Sequence, residues 1–169
     1  SVDLNKKMKI NILDLHREYR HIGPLIEDEL KECFRSQTWV LGSGVPRFEE
    51  KCAAYLGVKY AAGLNSGTDA LVLALRALAI KLKGKEFFDK KDQIITTPFT
   101  FIATAEAIML AGATPVFVDI DKNSFNIGAG NIENAINKNT VGIMPVHLYG
   151  LCAPMADIKA IAARHKLFV

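Results

Sequence analysis

Three residues with chemical potential, Ser66, Gly67 and Thr68, break an apolar run in LNSGTDALVLAL, residues 64–75. Two hydroxyls flank a glycine just where helical spacing resumes. Glycine leaves room for close approach to the backbone. The first turn of a helix adds free amides and the positive end of its dipole, so a small anion such as a phosphate monoester fits such a place. A plain turn with a serine cap fits it equally, because capping stabilises a helix by ~1 kcal/mol without any ligand. The GxxxxGK[ST] spacing of a P-loop is absent. Both readings stand on these residues alone.

A second group is ITTPFTFIATAEAI, 95–108, where Thr96, Thr97, Pro98 and Thr100 separate a strand pattern from a helix expected to begin near Phe101. Phe101 is expected on the same side of the sheet as Gly67. An aromatic ring beside a phosphate seat suits a planar phosphorylated cofactor. Phe99 and Phe101 as ordinary core residues is the competing reading. PVHLYG, 145–150, brings His147 and Tyr149 to another strand end, where either a site role or structural satisfaction is open. His16 and His21 are five apart and make a poor zinc pair, and His165 is expected on the surface near a helix end. Asp119 and Asp121 share a face of VDID and read as a strand-ending turn rather than a cation site. No metal site, no Ser–His–Asp triad and no G-x-S-x-G elbow is readable.

The elements that must position these residues follow from periodicity. Residues 22–36 read as a helix with Pro24 in its first turn and Ile26, Leu30 and Phe34 repeating at four. A second helix follows VLGSG, with Val45, Phe48, Cys52 and Tyr55 as its inner stripe and Gly57 as its stop. KYAAGL, 59–64, is a strand candidate, and a helix runs from about Asp69 to Ile80. KLKGKEFFDKKD, 81–92, mixes five lysines with three acids and reads as a solvated connection tucked down by Phe87 and Phe88. Strands at 93–97, 114–120 and 141–146 then alternate with helices at 101–110, around Ile132 to Ile136, and around Met155 to Ala162; LFV opens another strand. Apolar strands spaced by helices predict an α/β fold, a mostly parallel sheet covered on both faces.

Composition bounds the function classes. Of the 169 residues half are hydrophobic and 23% charged, with a net charge of +3. That is globular rather than disordered, and the scattered cations predict no nucleic-acid partner. No apolar run approaches the roughly 20 residues that span a bilayer, so no membrane partner is expected. The first residues carry no signal-peptide pattern, and the three dispersed cysteines, Cys33, Cys52 and Cys152, suggest neither metal pair nor disulfide framework, so a cytoplasmic setting is expected. The closing apolar LFV suggests the front part of a longer protein.

The series WVLGSGVPRFEEKCAAYLGVKYAAGLNSGTDALVLAL, ITTPFTFIATAEAI, AGATPVFVDID and PVHLYG resembles the DegT/DnrJ/EryC1/StrS family of sugar aminotransferases. These are pyridoxal 5'-phosphate enzymes of the aspartate-aminotransferase fold, fold type I, with a three-layer large domain. The likeness runs from about residue 10 to the last residue. It implies that Ser66, Gly67 and Thr68 are the SGT element that engages the cofactor phosphate, and that Phe101 stacks on its ring. Thr104, Glu106 and His147 fall in matching motifs near the active site, and Trp39 with VLGSG near the sugar-nucleotide entrance. Glu106 stands where many members carry Asn, and KKDQII replaces the usual GDEVI after a longer connection. The likeness implies residues 1–36 as a helical lead-in and 37–169 as the first part of the cofactor-binding domain. The aspartate that pairs with the pyridine nitrogen, the cofactor-bearing lysine and the C-terminal domain would all follow residue 169, so no catalytic residue is assigned here. The implied reaction moves an amino group from a donor, typically glutamate, to a keto carbon of a nucleotide-linked sugar, in a homodimer. A dehydratase of the same family and a non-catalytic regulatory protein share the same motifs.

Overall fold

The computed structural model describes residues 12–40 and 42–169. The first eleven residues of the expected N-terminal segment, and Leu41 of VLGSG, lie outside the described residues. The chain forms two compact units, Ser1–Gly63 and Leu64–Val169.

The first unit carries two helices. Helix α1, Leu15–Ser36, starts where the Asp14 carboxylate accepts from the Arg17 amide at 3.0 Å. It begins earlier than the sequence suggests and runs through Pro24, which lies inside the helix rather than in its first turn. Gly23 explains the tolerance: the clash of a proline ring with the Cβ of the preceding residue does not arise at glycine. Helix α2, Gly44–Leu56, ends at Gly57 in the left-handed conformation, as its sequence predicts. The expected inner stripe of α2 is not covered. Val45, Phe48 and Tyr55 are exposed and Ala53 is the buried residue, because two helices offer too little surface to enclose a full stripe. KYAAGL forms no strand. It has no neighbouring strand to pair with, and the Gly63 amide instead donates to the Glu49 carboxylate at 2.7 Å.

The second unit is a three-layer α/β arrangement. Helix α3, Gly67–Lys83, precedes strand β1, Gln93–Thr96. Helix α4, Ala103–Leu110, and strand β2, Thr114–Phe117, come next. Helix α5, Ala129–Ala135, strand β3, Thr140–Ile143, and helix α6, Met155–His165, complete the series. The sheet order is β2-β1-β3, and both pairings are parallel. Of the strand expected at LFV, the described residues show one isolated parallel bridge, Phe168 to Gly142 of β3.

Strand period divides the core in two. Ile94 faces α3 and α4, packing with Leu75, Ala79, Ala107, Ile108 and Phe88. Its neighbour Ile95 faces α5 and α6, packing with Ile127, Ile132, Ile143, Ile158 and Ile161. Successive strand residues point to opposite faces, which is why adjacent isoleucines serve two cores and why β1 shows no polar alternation. The 84–92 connection is pinned by Phe88, which is buried, and by the Lys83 ammonium on the Asp92 carboxylate. Phe87 remains half exposed, with the Arg76 guanidinium over its ring.

Candidate functional site

The start of α3 shows what the SGT stretch does locally. Ser66 is its N-cap, with extended backbone, and its hydroxyl oxygen accepts from the Asp69 amide at 3.1 Å while donating to the Asp69 carboxylate at 2.8 Å. The helix therefore begins at Gly67, two residues before the sequence suggests. The amides of Gly67 and Thr68 lie in the first turn, where no helical acceptor exists. A Cβ built on Gly67 would meet nothing within 4 Å, so the space over this turn is open. Ser66 and Gly67 are exposed and Thr68 is half-buried.

Chain direction tells which edge of the sheet this turn faces. Lys83, the last residue of α3, pairs with Asp92 at the start of β1, so the C-terminal end of α3 sits at the amino edge of the sheet. Seventeen residues span about 25 Å at 1.5 Å each, and Leu75 and Ala79 hold the helix along the sheet against α4. Gly67 is thereby directed toward the carboxyl edge, where open α/β sheets collect their ligands.

A recess of about 460 Å³ lies at that edge, lined by residues 98–101, which follow β1, and 146–149, which follow β3. The structure thus brings Phe101 together with His147 and Tyr149. Residues 66–68 do not line this recess themselves. Phe101 is 76% exposed, so the reading of it as core is set aside. It stands two residues ahead of α4, not on it. Thr97 accepts from the Phe99 amide at 3.2 Å, and the hydroxyls of Thr100 and Thr104 meet at 2.9 Å. These local bonds hold 97–102 as a turn and delay the helix, in the way that Thr side chains compete with helical bonding. The Thr96 hydroxyl donates to the Met144 carbonyl at 2.8 Å and ties the exits of β1 and β3 together.

The remaining candidates sort cleanly. His147 Nδ1 accepts from the Ala153 amide at 3.0 Å, which requires the unprotonated nitrogen there and leaves Nε2 to carry the proton of the neutral ring. Thr104 is buried and Glu106 exposed. Asp121 is a turn residue: its carboxylate accepts from the Ser124 amide, the Ser124 hydroxyl and the Asn123 amide, and these bonds, Ser124's first, hold its pKa below 3.8. The carboxylate of Asp119 accepts from the Ile120 amide at 2.8 Å. His165 sits in the last turn of α6 beside Glu133, whose pKa is lowered chiefly by the Arg164 guanidinium. Among the described residues no group of three His, Cys, Asp or Glu side chains is placed to hold a metal ion, and no helix is long and apolar enough to cross a membrane.

Two residues escaped the sequence reading. Asn126 is buried, and its side chain bonds two backbone groups of the segment after β3. Phe125, beside it, packs on Phe99. A single Asn within the apolar run SFNIG was the available signal.

A model of the DegT/DnrJ/EryC1/StrS aminotransferase family matches residues 21–169. The chain belongs to that family. It is 43% identical over 162 residues, 96% of its own length, to the pleiotropic regulatory protein of Geobacillus stearothermophilus, of which it covers 41%. It is 39% identical over 166 residues, 98% of its length, to a UDP-N-acetyl-3-dehydro-alpha-D-glucosamine 3-aminotransferase of Acidithiobacillus ferrooxidans, covering 43% of it. Among solved structures, DesV of S. venezuelae in complex with a ketimine intermediate superposes with a TM-score of 0.83 at 33% identity, over 94% of this chain and 41% of that one. The fold is accordingly that of the family's aminotransferases. The chain spans about two fifths of the length of these relatives.

Proposed function

We propose that this chain holds the phosphate and ring of pyridoxal 5'-phosphate in an enzyme that moves an amino group, from glutamate, to a keto carbon of a nucleotide-linked sugar. One observation carries the reading: the open first turn of α3, with Gly67 uncrowded, is directed to the same sheet edge at which Phe101 stands exposed in a recess. The donor set fits the group. The amides of Gly67 and Thr68 and the Thr68 hydroxyl suit a phosphate dianion, and the helix dipole adds to them. Ser66 shapes the turn through Asp69 and draws that carboxylate into its own hydrogen bond. Phe101 offers an aromatic face, and the protonated Nε2 of His147 offers a donor on the same recess.

When bound, the cofactor supplies the electron sink for amino transfer. The residues here bind and orient: Ser66, Gly67 and Thr68 fix one end of the ligand and Phe101 its plane. In this reading residues 37–169 are the first part of the cofactor-binding domain. Lysine and aspartate partners come from outside these residues, and the protein works as a cytoplasmic homodimer.

The test is a titration of the full-length protein with pyridoxal 5'-phosphate, followed by visible absorbance, and then turnover with glutamate and a keto sugar nucleotide. A protein-specific visible band that weakens in Thr68→Ala, together with turnover, supports the proposal. No band, or a band indifferent to Thr68→Ala, overturns it. The relative in Geobacillus stearothermophilus, named for regulation, favours a second reading, a cofactor-binding protein without turnover; a normal band with no amino transfer would select it.

A further inference from the structure

The two walls of the Phe101 recess belong to different loops, one after β1 and one after β3, and a third element touches both. It is the hairpin that follows β2. Ile120 and Ile127 form an antiparallel bridge, the Asp121 amide donates to the Asn126 carbonyl at 2.8 Å, and the Phe125 amide donates to the Asp121 carbonyl at 2.8 Å. The Asp121 carboxylate closes the tip on Asn123 and Ser124. From this hairpin two consecutive side chains go to the two walls. The ring of Phe125 packs on that of Phe99 with centroids 5.9 Å apart, on the wall that carries Phe101. The Asn126 amide donates to the Leu151 carbonyl at 3.1 Å and accepts from the Leu148 amide at 3.0 Å, bracketing the turn that carries Tyr149. β2 pairs with β1 and not with β3, so the Asn126 bonds carry the hairpin to the loop after β3, a strand that β2 does not meet in the sheet.

Two strained residues mark the same arrangement. Phe125 has φ +58° and Tyr149 φ +50°, left-handed values that bulky side chains avoid. A sequence under pressure for stability alone favours Asn or Gly there. An aromatic ring kept in such a conformation indicates that the direction of the side chain matters.

We propose that Phe125 and Asn126 are positioning residues that set the separation of the recess walls, and with it the fit of a planar phosphorylated ring between Phe101 and the His147–Tyr149 turn. The inference rests on the cofactor reading given above. Neither residue lines the recess itself. Phe125 acts through Phe99, and Asn126 acts through the backbone of 148–151.

The test uses full-length protein carrying Phe125→Asn, Phe125→Tyr and Asn126→Ala. Three readouts apply: melting temperature, hydrogen–deuterium exchange of peptides covering 97–102 and 147–153, and affinity for pyridoxal 5'-phosphate. Phe125→Asn relieves the backbone while deleting the ring, so the melting temperature holds or rises as exchange across 97–102 quickens and affinity falls about tenfold. Phe125→Tyr keeps the ring and restores affinity. Asn126→Ala quickens exchange in 147–153. If Asn126→Ala does not fold, the Phe125 pair decides the matter alone. Variant affinity that is unchanged, or that merely follows melting temperature, overturns the positioning role and leaves the cofactor reading intact. A wild-type protein that binds no cofactor overturns both.

Discussion

Lys83 and Asp92 join the last turn of α3 to the residue just before β1, their side chains in direct contact although nine residues apart. Asp92 is buried and also accepts from the Asp89 amide at 2.8 Å. Asp92→Asn should therefore destabilise the second unit by about 1–3 kcal/mol, read from chemical denaturation. The Asp92 carboxylate raises the Lys83 pKa above 10.5. A raised cation contributes stability that is complete below 10.5 and lost as pH climbs through the higher folded value. The melting temperature of the wild type should thus fall more steeply than that of Asp92→Asn on the alkaline side of 10.5.

Gly112 turns the chain from α4 into β2 at φ +91°, and a Cβ there would lie 2.4 Å from the Phe88 carbonyl oxygen. Both the backbone conformation and the contact exclude a side chain. Gly112→Ala should cost about 2–4 kcal/mol, enough to lower the melting temperature by many degrees in a domain of this size.

Ser66, Thr68 and Phe101 should separate stability from binding. Ser66→Ala removes the α3 cap and should lose about 1 kcal/mol of stability along with cofactor affinity. Phe101→Leu alters an exposed residue and should move stability by less than about 0.5 kcal/mol while weakening cofactor binding. Parallel denaturation and absorbance titrations check the contrast; a Phe101→Leu protein with normal affinity would remove Phe101 from the site.

Asp121 should titrate below 3.8, because the Ser124 amide, the Ser124 hydroxyl and the Asn123 amide all donate to its charged form. A lowered carboxyl contributes stability present above 3.8 and lost as pH falls through the folded value. NMR titration of the carboxyl carbon should show the low value in the wild type. Ser124→Ala, which removes one of the three donors, should bring it part of the way back.

Much of the second unit was legible because local and global preferences agree there. Helices α3, α4, α5 and α6 and strands β1, β2 and β3 all fall where apolar period and turn residues place them, within a few residues at their ends. KYAAGL has strand-like residues, yet a strand exists only with a partner, and Gly63 found the Glu49 side chain instead. Pro24 misled because the permissive Gly23 precedes it. The stripe of α2 was visible as a pattern, but a pattern does not say what covers it.

By itself the sequence determined the parallel α/β order, the cap and glycine at the start of α3, and an aromatic residue just after β1. These are local consequences of side-chain period, capping chemistry and backbone freedom. Only the tertiary structure decided that Phe101 stands exposed beside His147 and Tyr149, and that Phe125 and Asn126 reach the two walls around them. Those residues lie far apart along the chain, and their meeting depends on strand order and on backbone conformations that cost energy locally. Such conformations persist because the packed sheet edge holds them, which no stretch of sequence read alone expresses.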